Sequence, residues 1–132
     1  MNTEWAVSDL SPSPKWILNM FSTFFDVCPP NPSFDGLNIP WKKFNYCNPP
    51  YSKKVPWIKK SIEEMHLGNT TVMLLPHVPE MAWYVDLVVP NAEILNFRGR
   101  LELDSGKHGR YGSMFAVFHP STVQDINGEK VE

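Results

Sequence analysis

The stretch FNYCNPPYSKKVPWIKKSIEEMHLGNTTVMLLP, residues 44–76, decides the fold. It opens with a brief apolar run from Phe44 to Cys47 that stops abruptly at Asn48-Pro49-Pro50-Tyr51, since proline cannot donate to a strand ladder. Val55 to Leu67 then reads as a helix. Val55, Ile58, Ile62 and Met65 form one stripe, Pro56 suits the first turn, and Gly68 with Asn69 supplies the stop. Thr70 to Leu75 is nearly continuous in apolar and β-branched residues, the pattern of a strand buried on both faces, and Pro76 ends it. Strand, helix, strand is the unit from which parallel sheets covered by helices are built.

Working outward, Trp16, Ile17, Met20, Phe21 and Phe24 fall at helical spacing, which predicts a helix over Lys15 to Phe25 with Ser13 as its cap and Pro14 in its first turn. Phe24 to Cys28 is expected to be a short strand, and the proline-rich Pro29 to Pro40 a rigid loop. Beyond the central unit, Pro79 to Val88 predicts a helix, Ala92 to Leu103 and Ser113 to His119 two strands, and Asp104 to Gly112 the hairpin loop between them. The expected class is α/β, with a mostly parallel sheet and a C-terminal antiparallel hairpin. The expected organisation is a flexible arm over 1–12, a single domain over 13–120 and a polar tail over 121–132.

Composition bounds the function. Thirteen prolines against seven glycines argue against a helical bundle. The longest apolar runs are too short to span a bilayer, and the N-terminus shows no basic region followed by an apolar stretch, so a cytoplasmic location and no membrane partner are expected. Cys28 and Cys47 form no C-x-x-C, and the four histidines show no ligand spacing, so no metal is expected. The net charge of −2 hides a strong division: residues 41–60 carry six lysines and no acid, and residues 98–110 add Arg98, Arg100, Lys107 and Arg110 against two acids. A polyanion would meet those two blocks, although a lysine-rich helix face is also simply well solvated.

In a parallel sheet, ligands bind beyond the carboxyl ends of the strands. Asn48-Pro49-Pro50-Tyr51 stands at such an end. The exocyclic amine of adenine is a poor nucleophile because its lone pair is delocalised into the ring. Two carbonyl oxygens, one from the Asn48 side chain and one from the Pro49 backbone, can accept its two N–H bonds and localise that pair. The prolines offer no competing donor and fix two φ angles. Tyr51 offers a flat face to a base that has left its stack.

Around this loop the chain closely resembles the phage-type DNA N6-adenine methyltransferase family. The resemblance runs from about Ser13 to Pro120. It rests on Ser13-Pro14-Lys15-Trp16, Phe25-Asp26-Val27-Cys28, Asp35-Gly36-Leu37 with Trp41, Tyr46-Cys47-Asn48-Pro49-Pro50-Tyr51-Ser52, Trp57-Ile58-Lys59-Lys60, Met73-Leu74-Leu75-Pro76, Ala92-Glu93-Ile94 with Arg98-Gly99-Arg100-Leu101, and Ser113-Met114-Phe115. The order and spacing of these blocks carry the match. It implies S-adenosyl-L-methionine as methyl donor, DNA as partner and adenine N6 as acceptor, on a Rossmann-like methyltransferase sheet. It also implies Asn48, Pro49, Pro50 and Tyr51 as the catalytic loop, with Pro14, Asp26, Cys28, Asp35 and Asn48 on the cofactor side. Asp26 would serve the methionine or ribose end and Asp35 the adenosine end. Tyr51, Ser52, Lys53, Lys54, Arg98 and Arg100 would meet the DNA, with Lys53 and Lys54 on phosphates flanking an extruded base.

Only eight residues, Val27 to Phe34, separate Asp26 from Asp35, fewer than is usual in that family and too few for a strand-helix unit. A reduced sheet of about five strands with a shallow, partly open cofactor crevice is therefore expected. Blander readings stand beside several of these residues. Asp26 could cap a loop, Asp35-Gly36 is a common turn, Trp41, Trp57 and Trp83 suit a core, and Arg98 and Arg100 suit a salt-bridged strand surface. Two alternatives to DNA adenine methylation remain open at this level. One is a truncated, inactive methyltransferase-like module that binds DNA or protein. The other is methylation of a different amine, such as glutamine or an RNA base.

Overall fold

The computed structural model describes residues 12–122. The arm expected over 1–12 therefore lies outside the described residues except for Pro12, and of the tail expected over 121–132 only the first two residues fall within them. There, Pro120–Thr122 closes a single 3-10 turn. One five-stranded sheet carries the fold, in the order β1-β2-β3-β5-β4. Its strands are β1 (Phe25–Asp26), β2 (Phe44–Cys47), β3 (Thr70–Pro76), β4 (Glu93–Glu102) and β5 (His108–Phe118). Helix α1 (Lys15–Met20) precedes β1, and helix α2 (Lys54–His66) joins β2 to β3.

β1, β2 and β3 are parallel, with Asp26 opposite Tyr46 and Cys47 opposite Met73. β5 runs antiparallel to both β3 and β4, with Met73 opposite Ala116 and Leu95 opposite Phe115. The sheet is thus parallel over its first three strands and ends in the expected antiparallel hairpin of β4 and β5, whose β5 inserts between β3 and β4 and makes the whole sheet mixed.

Alternation along the strands builds two cores. Cys47, Met73, Leu75, Met114, Ala116 and Phe118 face the side covered by α2, where Trp57, Ile58 and Met65 pack with Trp41 and Trp83. Tyr46, Val72, Leu74 and Phe115 face the other side, closed by Ile17 of α1 with Phe21 and Phe24. All three tryptophans assigned to a core above are buried. Glu64 of α2 is also buried, and its Oε1 accepts from the backbone N–H of Trp41 at 3.0 Å and from Asn69 Nδ2 at 3.1 Å. That bond ties the loop before β2 to the turn before β3.

Most boundaries shift by a residue or two, and three elements differ more. α1 ends at Met20 rather than Phe25, because Phe21 turns to stack on Tyr46 (ring centres 5.1 Å apart) and Phe24 folds back on Phe21 and Phe44. The apolar spacing that read as helix is used by a turn. Pro14 stands at the N-cap without a side-chain cap, since the Ser13 hydroxyl is engaged elsewhere. The hairpin loop is shorter than Asp104 to Gly112: β4 reaches Glu102 and β5 starts at His108, with the turn made at Gly106, whose φ is +85°. The segment expected to be a helix over Pro79 to Val88 is a short helical turn whose last part, Tyr84–Val88, is π-type, and it buries Trp83 and Val88.

Candidate active site at the carboxyl edge of the sheet

Because β1, β2 and β3 are parallel, their carboxyl ends share one edge, and antiparallel β5 begins at that same edge. Asp26 to Cys28, Asn48 to Tyr51, His77 and Tyr111 are gathered there by topology alone. His77 N–H donates to the Gly112 carbonyl at 2.7 Å, which holds the start of β5 beside the end of β3. The hairpin tip reaches the same region, where both carboxylate oxygens of Asp104 accept from the Lys15 N–H, at 3.1 and 3.3 Å, over the start of α1.

Asn48 is held by its amide nitrogen. Nδ2 donates to Ser13 Oγ at 3.1 Å, and Ser13 Oγ lies 2.7 Å from the Tyr46 hydroxyl. The Pro50 carbonyl accepts from Lys53 N–H and opens a 3-10 turn over Tyr51–Lys53. Tyr51 stacks on Tyr111, with ring centres 6.2 Å apart and planes 17° from parallel. Lys54 Nζ donates to the Tyr51 carbonyl at 2.9 Å and lies over the Tyr51 and Trp83 rings, 4.8 and 5.1 Å from their centres. Lys54 is thus built into the loop, while Ser52 and Lys53 are exposed.

Across the edge, Asp26 accepts from the Cys28 N–H at 3.1 Å, and burial pushes its carboxyl above the usual range. Burial, helped by the negative charges of Asp26 and Asp35, pushes the Cys28 thiol up to about 11. Cys47, fully buried, is raised well above its ordinary value by burial. Asp35 is brought to this corner by Gly36. A Cβ there would stand 1.9 Å from the Val27 carbonyl oxygen and 2.8 Å from the Trp57 ring, so only glycine lets the loop close on the end of β1. The Asp35 carboxylate also holds its own turn, accepting from the Leu37 N–H at 3.0 Å and from Asn38 Nδ2 at 2.6 Å. The turn reading of Asp35-Gly36 and its position beside Asp26 therefore coexist.

Pro14 is buried next to Ser13, and so is joined to this edge through the Ser13–Asn48 bond. Arg98 and Arg100 are exposed on β4 and flank Gly99, whose φ of +69° sits in an irregularity of the β4–β5 register. Residues 27–34 contain no strand or helix. Among the described residues no group of His, Cys, Asp and Glu could hold a metal ion, and no helix is long and apolar enough to cross a membrane.

Sequence reasoning missed Tyr111 and the inward seat of Lys54. The signal for Tyr111 was weak: an aromatic at the start of a strand, inside a glycine-rich segment. Lys54 carried no signal that separates it from Lys53, because the 3-10 turn that rotates it inward is set by the prolines before it.

A family model described as "DNA N-6-adenine-methyltransferase (Dam)" matches residues 31–119. A protein of Escherichia phage T1 named DNA N-6-adenine-methyltransferase is 34% identical over 88 residues, covering 65% of this chain and 37% of that protein. A protein of Haemophilus phage HP1 with the same name is 27% identical over 109 residues, covering 70% of this chain and 63% of that protein. The chain thus spans between about one third and two thirds of the length of these relatives. No solved structure matches it.

Proposed function

The chain belongs to the DNA N-6-adenine-methyltransferase (Dam) family, and from that membership we propose that it transfers a methyl group from S-adenosyl-L-methionine to N6 of adenine in DNA. The observation that carries the reading is the Asn48–Tyr51 loop at the carboxyl end of β2, with Asp26 on the adjoining end of β1. The sheet is read as a reduced Rossmann-like methyltransferase sheet. Three parallel strands bring both loops to one edge of the sheet, and the short 27–34 segment holds no further strand-helix unit.

The residues present fit the donor. Asp26 and Asp35 put two carboxylates in one corner, and a buried carboxyl whose ionisation is disfavoured gains most from a cationic neighbour. Asp35's oxygens, though engaged locally, keep lone pairs for a ribose or amine donor. Pro14 supplies apolar contact, and Cys28 lines the same corner as a neutral thiol. When bound, S-adenosyl-L-methionine supplies a methyl on a positive sulfonium, so the acceptor amine needs no strong base.

Asn48 Oδ1 and the Pro49 carbonyl accept the two N–H bonds of the adenine amine, drawing the nitrogen toward a tetrahedral shape. This is polar preorganisation of the kind that stabilises developing charge. Once methylated, the nitrogen gives up its extra proton to solvent. Pro50 fixes the turn that presents Tyr51. Tyr51, supported by Tyr111, gives the extruded base an aromatic face. Ser52 and Lys53, exposed beside the loop, and Arg98 and Arg100 on β4 meet phosphates, with Lys54 holding Tyr51 from behind. A DNA substrate in a bacterial or viral host places the reaction in the cytoplasm.

A methyltransferase-like module that binds DNA or protein without transfer is the second reading, favoured by the short 27–34 segment. Incubating unmethylated duplex DNA, RNA and a glutamine peptide in parallel with methyl-labelled donor separates the readings. Label in DNA alone supports the proposal, label in RNA or peptide alone replaces the acceptor, and DNA binding without label supports the module.

A further inference from the structure

We propose that Ser13 and Tyr46 are positioning residues that fix which end of the Asn48 amide faces the acceptor amine; this rests on the methyl-transfer reading above. An amide side chain has a donor end and an acceptor end of nearly the same shape. Only the acceptor end helps an amine nucleophile. The opposite orientation would set an N–H against the N–H bonds of the base. Something must therefore hold Nδ2 away from the base.

Ser13 Oγ does so, accepting from Asn48 Nδ2 at 3.1 Å across a separation of 35 residues. A serine hydroxyl alone would not choose, because it could equally donate to Oδ1 if the amide turned over. Its proton must be engaged elsewhere. The Tyr46 oxygen lies 2.7 Å away, a distance at which either hydroxyl can donate, and the proposal takes Ser13 as the donor. With Ser13 as that donor, the chain Asn48 N–H to Ser13 oxygen and Ser13 O–H to Tyr46 oxygen runs in one direction, in which neighbouring hydrogen bonds reinforce each other.

The post on which this hangs is rigid. Tyr46 is 2% exposed and Ser13 6% exposed, so water does not compete for the hydroxyls. The Tyr46 ring is stacked on Phe21 at 5.1 Å and sits in register between Asp26 and Val72. Burial pushes the Tyr46 hydroxyl far above its ordinary range, so it keeps its proton at any working pH. Ser13 directly precedes Pro14, which couples the segment placed on the cofactor side to the catalytic amide.

The test is single-turnover methyl transfer to duplex DNA by the full chain, combined with side-chain amide NMR. Ser13→Ala and Tyr46→Phe should each slow transfer by about tenfold, the scale of one hydrogen bond, with DNA half-saturation held within about twofold. Ser13→Thr should recover the rate. In an Asn48→Ala background, Ser13→Ala should add nothing further, because its effect passes through Asn48. Losses that multiply in the double variant, or single variants at the wild-type rate, would overturn the proposal. Independently of activity, the Asn48 side-chain amide protons should exchange with solvent faster in Ser13→Ala than in wild type, and equal exchange would overturn it. Slow exchange in a wild-type protein that transfers no methyl would uphold the hydrogen bond and sink the functional reading instead.

Discussion

Lys54 Nζ lies 2.9 Å from the Tyr51 carbonyl oxygen and 4.8 Å from the centre of the Tyr51 ring, so a lysine of the basic block points into the candidate site rather than out of it. Its neighbour Lys53 is exposed. Adjacent lysines are thus placed for different work. Lys53→Ala should weaken DNA binding for all sequences alike and reduce the slope of log affinity against log salt by about one. Lys54→Ala should leave the slope nearly unchanged and lower turnover, because the backbone and ring of Tyr51 lose a shared anchor. Binding titrations at several salt concentrations, run beside turnover assays, check both. Equal slopes for the two variants would mean that the inward seat of Lys54 does not persist on DNA.

Asp26 sets stability against donor binding. Its carboxyl is raised from 3.8 mainly by burial, with only the Cys28 N–H to offset it. A carboxyl raised in the folded state loses folding stability as pH climbs from its unfolded value through its folded one. Asp26→Asn keeps an oxygen for Cys28 N–H and carries no charge. It should therefore melt higher than wild type at neutral pH, and the gain should vanish as pH falls below about 4, where both side chains are neutral. It should also lose binding of S-adenosyl-L-methionine in calorimetric titration. A variant that melts lower and still binds would remove Asp26 from the donor corner.

Cys28 should be slow to react. Its thiol, pushed up to about 11 by burial and by Asp26 and Asp35, is almost wholly protonated at neutral pH. Iodoacetamide labelling followed by peptide mapping should give a rate that climbs with pH up to about 11. A plateau near the ordinary cysteine value, about 8.5, would contradict the crowded acidic corner.

Glu64 is the buried group whose loss should be felt most widely. Glu64→Ala would strand the Trp41 N–H and the Asn69 amide, each at about 1–3 kcal/mol when left unsatisfied. Chemical denaturation should show destabilisation on that scale, whereas Glu64→Gln, which retains a carbonyl oxygen, should lose less. An unchanged midpoint for Glu64→Ala would show that water replaces the carboxylate.

The central unit was legible because its signals agree. Val55 to Leu67 and Thr70 to Leu75 combine period, propensity and punctuation, and the structure differs there by one residue at each end of the helix and one at the strand's end. Phe21 and Phe24 misled because aromatic spacing fits a helix and a folded-back turn alike, and only the Tyr46 ring selects the turn. The antiparallel seat of β5 between β3 and β4 was hidden because strand order is a long-range property with no local mark. In the candidate site, Asn48 to Tyr51 stood out through residue type and position at a strand end, and Asp26 through the family resemblance. Ser13 was read as a helix cap, and its bond to Asn48 depends on a contact across 35 residues that no local pattern encodes.

The most direct measurement is N6-methyladenine in DNA after incubation with the protein and S-adenosyl-L-methionine, quantified by mass spectrometry of digested nucleosides, for wild type and Asn48→Ala side by side. Asn48→Ala removes one acceptor of the target amine and leaves both prolines in place. The account predicts N6-methyladenine with the wild type and a rate lower by on the order of a hundredfold with the variant, at little change in donor affinity. Equal rates for the two proteins, or no N6-methyladenine from the wild type at saturating donor, would contradict it.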